Sequence, residues 1–147
     1  MKLSTTAAFL LCSSLVIGQI QLDNQFSDWN GVDHVAAAAE SPFVKTAITS
    51  NMDWLYLHIQ FSNEVGLDEN ILPNDYFLLL DLDDDTSTGV NYASQGLGVD
   101  LLLNFASRQA IRYTGGSGIE SFNEVGMRAA PTYSGEEFEV AFKRNML

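Results

Sequence analysis

Hydrophobic and polar residues alternate with a period of two along several short runs of this chain. The clearest run covers residues 54–61 (WLYLHIQF). Successive side chains of a β-strand point to opposite faces of a sheet, so the leucine, isoleucine and phenylalanine side chains of this run share one face. Trp54, Tyr56 and His58 share the other. The pattern predicts a β-strand with one apolar face and one mixed aromatic face.

Other runs predict further strands, at residues 75–82 (DYFLLLDL), 98–105 (GVDLLLNF), 109–114 (QAIRYT) and 137–142 (EFEVAF), with shorter candidates at 20–22, 43–49 and 125–130. The continuously apolar run at 75–82 indicates a central strand. Residues 109–114 are placed to form a hairpin with the preceding run. Eight or nine short strands separated by turns predict an all-β domain: an antiparallel β-sandwich, jelly-roll or immunoglobulin-like. The last residues, KRNML, are typical of a fragment that lacks a final strand.

The N-terminus has the parts of a cleavable signal peptide. Lys2 supplies the positive region, residues 7–17 supply an apolar region, and a cut after Gly18 would leave residues 19–147 as one domain. Eleven residues are too few for a membrane span, which needs about 20. The sequence therefore predicts a protein secreted to the periplasm or the extracellular space.

The charge of the chain narrows the class of partner. It has 7 basic and 19 acidic residues and a net charge of −12, and cleavage would remove Lys2 as well as the single cysteine, Cys12. An acidic surface repels phosphate backbones, which argues against nucleic-acid binding, and it favours hard cations such as calcium.

The strongest chemical motif is DLDDDTSTG, residues 81–89. Asp81, Asp83 and Asp85 recur at every second residue, as do the first ligands of many calcium loops, and Asp100 at the head of the next strand is a further candidate ligand. The motif is not an EF-hand, since Thr86 and Tyr92 stand where that loop needs glycine and glutamate. The alternative is a solvated acidic turn whose aspartates cap backbone amides.

The aromatic face of residues 54–61 is a candidate ligand-binding surface. Trp54, Tyr56 and His58 would form a strip on which the flat C–H faces of a sugar could stack. The alternative, which tryptophan's usual burial favours, is that this face packs beneath a loop or a second sheet. Phe26 and Trp29 are expected to close one end of the core.

Catalytic residues are hard to identify in this sequence. Glu137 and Glu139 are expected on a solvated strand face. His34 and His58 belong to no recognisable nucleophile or zinc pattern, so the segment is not predicted to be an enzyme.

Several motifs together resemble the family 9 carbohydrate-binding modules and their DOMON-like relatives. These motifs are QLDNQFSDWNGV, MDWLYLHIQFSNE, DYFLLLDLDDDTSTG, GLGVDLLLNF and EEFEVAFKRNML, with Glu139 at the family's glutamate position. The resemblance implies a β-sandwich with structural calcium that binds sugars or, in some relatives, haem. It also implies an accessory role, since similar modules often precede a catalytic domain.

Three functions therefore stand as expectations. The first is a non-catalytic secreted module with a glycan ligand and a structural calcium ion. The second is the N-terminal accessory part of a secreted hydrolase, of the endonuclease/exonuclease/phosphatase type for example, whose catalytic domain would follow residue 147. The third is a purely structural or interaction domain.

Overall fold

The computed structural model of the chain describes residues 19–39, 41–66, 76–92, 96–105, 107–115 and 118–147. The predicted signal peptide, residues 1–18, lies outside the described residues. Within them are short 3₁₀ helices at Phe26–Gly31 and Arg144–Met146 and eleven strands. The strands are β1 His34–Ala36, β2 Phe43–Ser50, β3 Trp54–Gly66, β4 Phe77–Leu80, β5 Val90–Tyr92, β6 Leu97–Val99, β7 Leu101–Asn104, β8 Gln109–Arg112, β9 Gly118–Ser121, β10 Met127–Ala130 and β11 Ser134–Lys143.

The strands form two main antiparallel sheets. The larger sheet has the order β1-β2-β3-β11-β10, and the smaller has the order β4-β7-β8-β9. A two-stranded ribbon, β5-β6, stands beside them. In the described residues, no helix is long and apolar enough to cross a membrane. The chain is therefore an all-β, sandwich-like domain, as the period-two pattern predicts.

The main core lies between the two large sheets. Phe61, Phe138 and Phe142 of the larger sheet pack in one cluster with Leu101 and Leu103 of the smaller sheet. Leucine, isoleucine and phenylalanine side chains of β3 point into this core, as the alternation predicts. Burial of these side chains is the principal stabilising term, at roughly 25 cal/mol for each Å² of apolar surface removed from water.

A second, smaller cluster lies on the opposite face of the larger sheet. Ile20 and Trp29 of the N-terminal segment, residues 19–32, pack there against Ala47, Tyr56 and Ala141. Trp29 is 1 % exposed. The prediction that Phe26 and Trp29 close one end of the core was wrong: the segment forms a third layer over the outer sheet face.

Some strand predictions also need correction: residues 20–22 form no strand, and β1, β5 and β9 lie outside the predicted runs. The run at 98–105 is divided by Asp100 into β6 and β7, which pair with different partners. The run at 75–82 forms β4, which among the described strands pairs only with β7 and so lies at a sheet edge. Leu78 and Leu80 of this strand pack against the core between the sheets, whereas Phe77 is 49 % exposed. The apolar run therefore does not require strands on both sides. The predicted hairpin of β7 and β8 is confirmed.

Candidate functional site

An acidic cluster forms where β4 ends and β7 begins. Asp81 directly follows β4, and Asp100 directly precedes β7. The two strands pair from Leu80 opposite Leu101, and the Asp100 amide donates to the Leu80 carbonyl at 2.9 Å, so the two carboxylates are brought together by the sheet itself. Asp83 reaches the same point from the loop. One carboxylate oxygen from each of the three lies within 4.8 Å of the other two.

Each carboxylate in this acidic cluster is held by hydrogen bonds. The buried Asp100 accepts from the Leu82 amide at 2.8 Å and from the Thr114 hydroxyl at 2.7 Å. Asp81 accepts from the amides of Asp84 at 2.8 Å and Gly98 at 3.1 Å. These bonds fix the orientation of the oxygens. A carboxylate has about four lone-pair positions, so both groups retain acceptor capacity for a cation.

Asp85 lies outside the acidic cluster. Its Oδ1 accepts from the Ser87 hydroxyl at 2.6 Å and the Ser87 amide at 2.9 Å. These two bonds, the hydroxyl first, hold the pKa of Asp85 below its ordinary value. Of the four predicted ligands, three are brought together, and Asp85 instead caps the turn as the alternative interpretation expected.

Two glycines allow the loop to lie directly on the β5-β6 ribbon. Gly89 has a φ of +63°, and a Cβ there would collide with the Val99 carbonyl. A Cβ at Gly98 would collide with the Asp85 carbonyl. The loop backbone therefore approaches the ribbon more closely than any side chain would permit, and this brings Asp83 toward Asp81 and Asp100.

No neighbouring cation neutralises this cluster in the part of the chain that the structure describes. The ion pair recorded there joins Arg112 to Glu120, and His58, which lies 3.7 Å from Glu137, is not part of the cluster. Three carboxylates so close together repel one another unless a positive charge lies between them. Oriented carboxylate oxygens without a basic partner are the ligands that a hard divalent cation such as calcium prefers.

Two of the three residues of the predicted aromatic strip are covered. Tyr56 is 6 % exposed and His58 is 1 % exposed, because the N-terminal segment lies over them. Trp54 is half-buried, and the Arg128 guanidinium lies 5.1 Å from the centre of its ring. The expectation of an exposed stacking platform on these residues was wrong, and the packed alternative describes the structure.

Glu139 is the residue that sequence reasoning placed least well. It was expected on a solvated face but is completely buried. Its Oε1 accepts from the Trp29 indole N–H at 3.1 Å, and its Oε2 accepts from the amides of Asp23 at 3.1 Å and Asn24 at 3.3 Å. Burial is the largest influence on its pKa, which is raised, and these donors counteract it in part. Glu139 thus fastens the N-terminal segment to the sheet.

His58 lies beside Glu139 on the same covered face. It stacks on Trp29 with ring centres 5.2 Å apart, and its Nδ1 lies 3.0 Å from His34 Nε2. Its Nε2 is buried without a hydrogen-bond partner, 3.7 Å from Glu137 Oε1. Burial, followed by the nearby His34 and Lys45, lowers the pKa of His58 to about 4. The imidazole is therefore neutral at pH 7.

A separate apolar cavity of about 270 Å³ lies between the two large sheets. Leu57 and Ile59 of β3 and Val140 of β11 form one wall, and Leu78 of β4 and Phe105 form the other. At one end Phe43, Phe61 and Tyr76 pack together, with ring centres 5.0 to 5.9 Å apart. Phe77 also lines the cavity and is 49 % exposed, so the cavity reaches solvent beside it.

The lining of this cavity offers few polar partners to water. An ordered water makes two to four hydrogen bonds, so water deep in the cavity is poorly bonded. Among the described residues that line the cavity, only Thr46 and Tyr76 have a polar side-chain group.

Searches against protein-family models, curated proteins and solved structures find no match to this chain.

Proposed function

We propose that this chain is a secreted, non-catalytic β-sandwich binding module in which a calcium ion orders the loop that follows β4. The observation that carries the proposal is the convergence of Asp81, Asp83 and Asp100. These residues come from a strand end, a loop and a neighbouring strand start, so a cation bound to all three would join the loop to the smaller sheet.

The arrangement supports a structural ion more than a catalytic one. Asp100 is 1 % exposed and both its oxygens accept protein hydrogen bonds, so this ligand is rigid. Asp83 is exposed and belongs to the loop that would be ordered. Calcium tolerates irregular coordination by six to eight oxygens, and carbonyl groups and water can complete such a shell.

The ligand of such a module does not bind at the predicted aromatic strip. A glycan cannot stack on Tyr56 or His58 while Trp29 and Ile20 cover that face. A sugar-binding role, as the resemblance to family 9 modules implies, would need a different surface.

The calcium proposal predicts a gain in stability. A ligand that binds the folded state alone raises the free energy of unfolding by about 2.7 kcal/mol when its free concentration is a hundred times its dissociation constant. We expect calcium to raise the unfolding midpoint of the purified protein relative to chelator, and Asp83→Asn to lose most of that rise. Thermal unfolding followed by circular dichroism measures both.

Asp84→Asn is the matched control. Asp84 lies in the same loop and is also exposed, and asparagine tolerates its φ of +58°. Both variants remove one negative charge, so a general charge effect would reduce the calcium response equally in the two. Equal responses in all three proteins, or none in the wild type, would exclude a calcium site at Asp83.

Sequencing the gene beyond residue 147 tests the alternative that this chain is an accessory module of a hydrolase. If the reading frame continues past residue 147 into a hydrolase domain, this module serves that enzyme. If a stop codon follows, the module acts by itself.

A further inference from the structure

We infer that the cavity between the two sheets is a binding site for a small, uncharged, apolar molecule. The inference rests on the proposal that the chain is a binding module, and it names the class of ligand. It does not depend on calcium, because the acidic cluster and the cavity share no residue.

The lining of the cavity selects for an apolar ligand. Its walls are formed by aliphatic and aromatic side chains from both sheets, such as Leu57, Val140 and Phe105. A sugar placed there would leave most of its hydroxyl groups without partners, and each unpaired polar group is costly to bury. An apolar molecule needs no such partners and replaces water that is itself poorly bonded.

The size of the cavity limits the ligand further. A cavity of about 150 Å³ in a protein core accommodates benzene. This one holds about 270 Å³, which suits two fused rings or an aliphatic chain of similar bulk. The rings of Phe43, Phe61 and Tyr76 pack against one another in its lining, and among the described lining residues Phe77 is half exposed and lies where the cavity reaches solvent.

The probe for this site is naphthalene, with glucose as a polar probe of comparable size. Isothermal titration calorimetry of the purified protein should show saturable naphthalene binding with a negative heat-capacity change, the mark of apolar burial. Glucose should show no binding in the cavity. In NMR spectra, intermolecular contacts should join naphthalene protons to methyl groups of Leu57 and Val140.

Two variants fill the cavity, so the test survives if one of them folds poorly. Val140→Phe and Leu57→Phe each add bulk from a different strand, and each should weaken naphthalene binding about tenfold or more, equivalent to about 1.4 kcal/mol. Ile119→Phe is the matched control, since Ile119 is 67 % exposed on β9 and does not line the cavity. It should leave the affinity unchanged.

The outcomes separate this inference from the proposed function. Three results would overturn the apolar site. In the first, naphthalene contacts only exposed methyl groups, such as those of Ile48 and Ile119; in the second, its affinity is equal in all variants; in the third, it does not bind at all. The calcium response of the wild type is measured separately and would survive that result. Naphthalene binding retained in Asp83→Asn would in turn show that the cavity functions without the metal loop.

Discussion

Replacing Trp29 by alanine should lower the free energy of unfolding by about 3 to 5 kcal/mol, as is typical when a buried tryptophan is truncated. Trp29 is 1 % exposed and stacks on His58, and its indole N–H donates to Glu139. The variant loses the packing and also leaves a buried carboxylate with one donor fewer. Small domains have only about 5 to 15 kcal/mol of stability, so this loss is a large share of the total.

The measurement is urea unfolding followed by far-UV circular dichroism, which does not depend on tryptophan emission. Trp29→Phe keeps most of the ring volume and removes the N–H, so its cost should fall to about 1 to 3 kcal/mol, that of an unsatisfied buried acceptor. Met52→Ala, at a side chain that is 91 % exposed, should change stability by less than about 0.5 kcal/mol. A loss below about 1 kcal/mol in Trp29→Ala would show that the N-terminal segment does not stabilise the sheet face.

Acidification should destabilise the domain through His58. The folded state holds the pKa of His58 at about 4, against 6.5 for an unperturbed histidine. Between these pH values the unfolded chain binds a proton at His58 that the folded chain does not, so stability falls as the pH falls. At 1.36 kcal/mol for each pKa unit, the full loss attributable to this residue is about 3 kcal/mol.

Other charged groups lie near His58 and also contribute to the pH dependence of stability. A His58 variant is therefore needed to isolate the contribution of this residue. His34 and Lys45 oppose its protonation and Asp28 favours it. Burial raises the pKa of Glu139, so that carboxyl protonates more readily in the folded chain and its contribution to stability grows as pH falls. The difference in unfolding free energy between wild type and His58→Gln should therefore be followed from pH 7 to pH 4. It should change by about 2 to 3 kcal/mol, and a constant difference would mean that His58 titrates normally in the folded chain.

The effects of Trp29 and of His58 on stability both arise on the covered face of β3. The alternation of hydrophobic and polar residues predicted the residues of this face but not its burial. The alternation in residues 54–61 correctly separates the leucine face of β3 from the face of Trp54, Tyr56 and His58, because the pleat of a strand is a local property. Whether a face meets solvent is not local. The N-terminal segment that covers Tyr56 is anchored by Glu139, which is more than a hundred residues away along the chain.

The acidic loop also combines features set by the local sequence with features set only by the pairing of distant strands. The spacing of two residues identified Asp81 and Asp83, but it identified Asp85 equally, and Asp100 was predicted from its place at the head of the next strand. The inclusion of Asp100 follows from the pairing of β4 with β7, and the exclusion of Asp85 follows from its bonds to Ser87. One signal for the long-range partner was present, an aspartate within an otherwise apolar run, although its register could not be read without the sheet.

The sequence by itself therefore identified most of the strand-forming segments, the all-β class and all three clustered carboxylates, with Asp85 as a fourth candidate, because side-chain periodicity and turn chemistry are set over a few residues. Only the tertiary structure decided that the aromatic strip is a packed interface, that Glu139 is buried, that β4 lies at an edge of the described sheet and that a cavity lies between the sheets. These features arise from surfaces that meet across long separations in the chain. Their complementarity depends on three-dimensional packing and leaves little trace in the local order of residues.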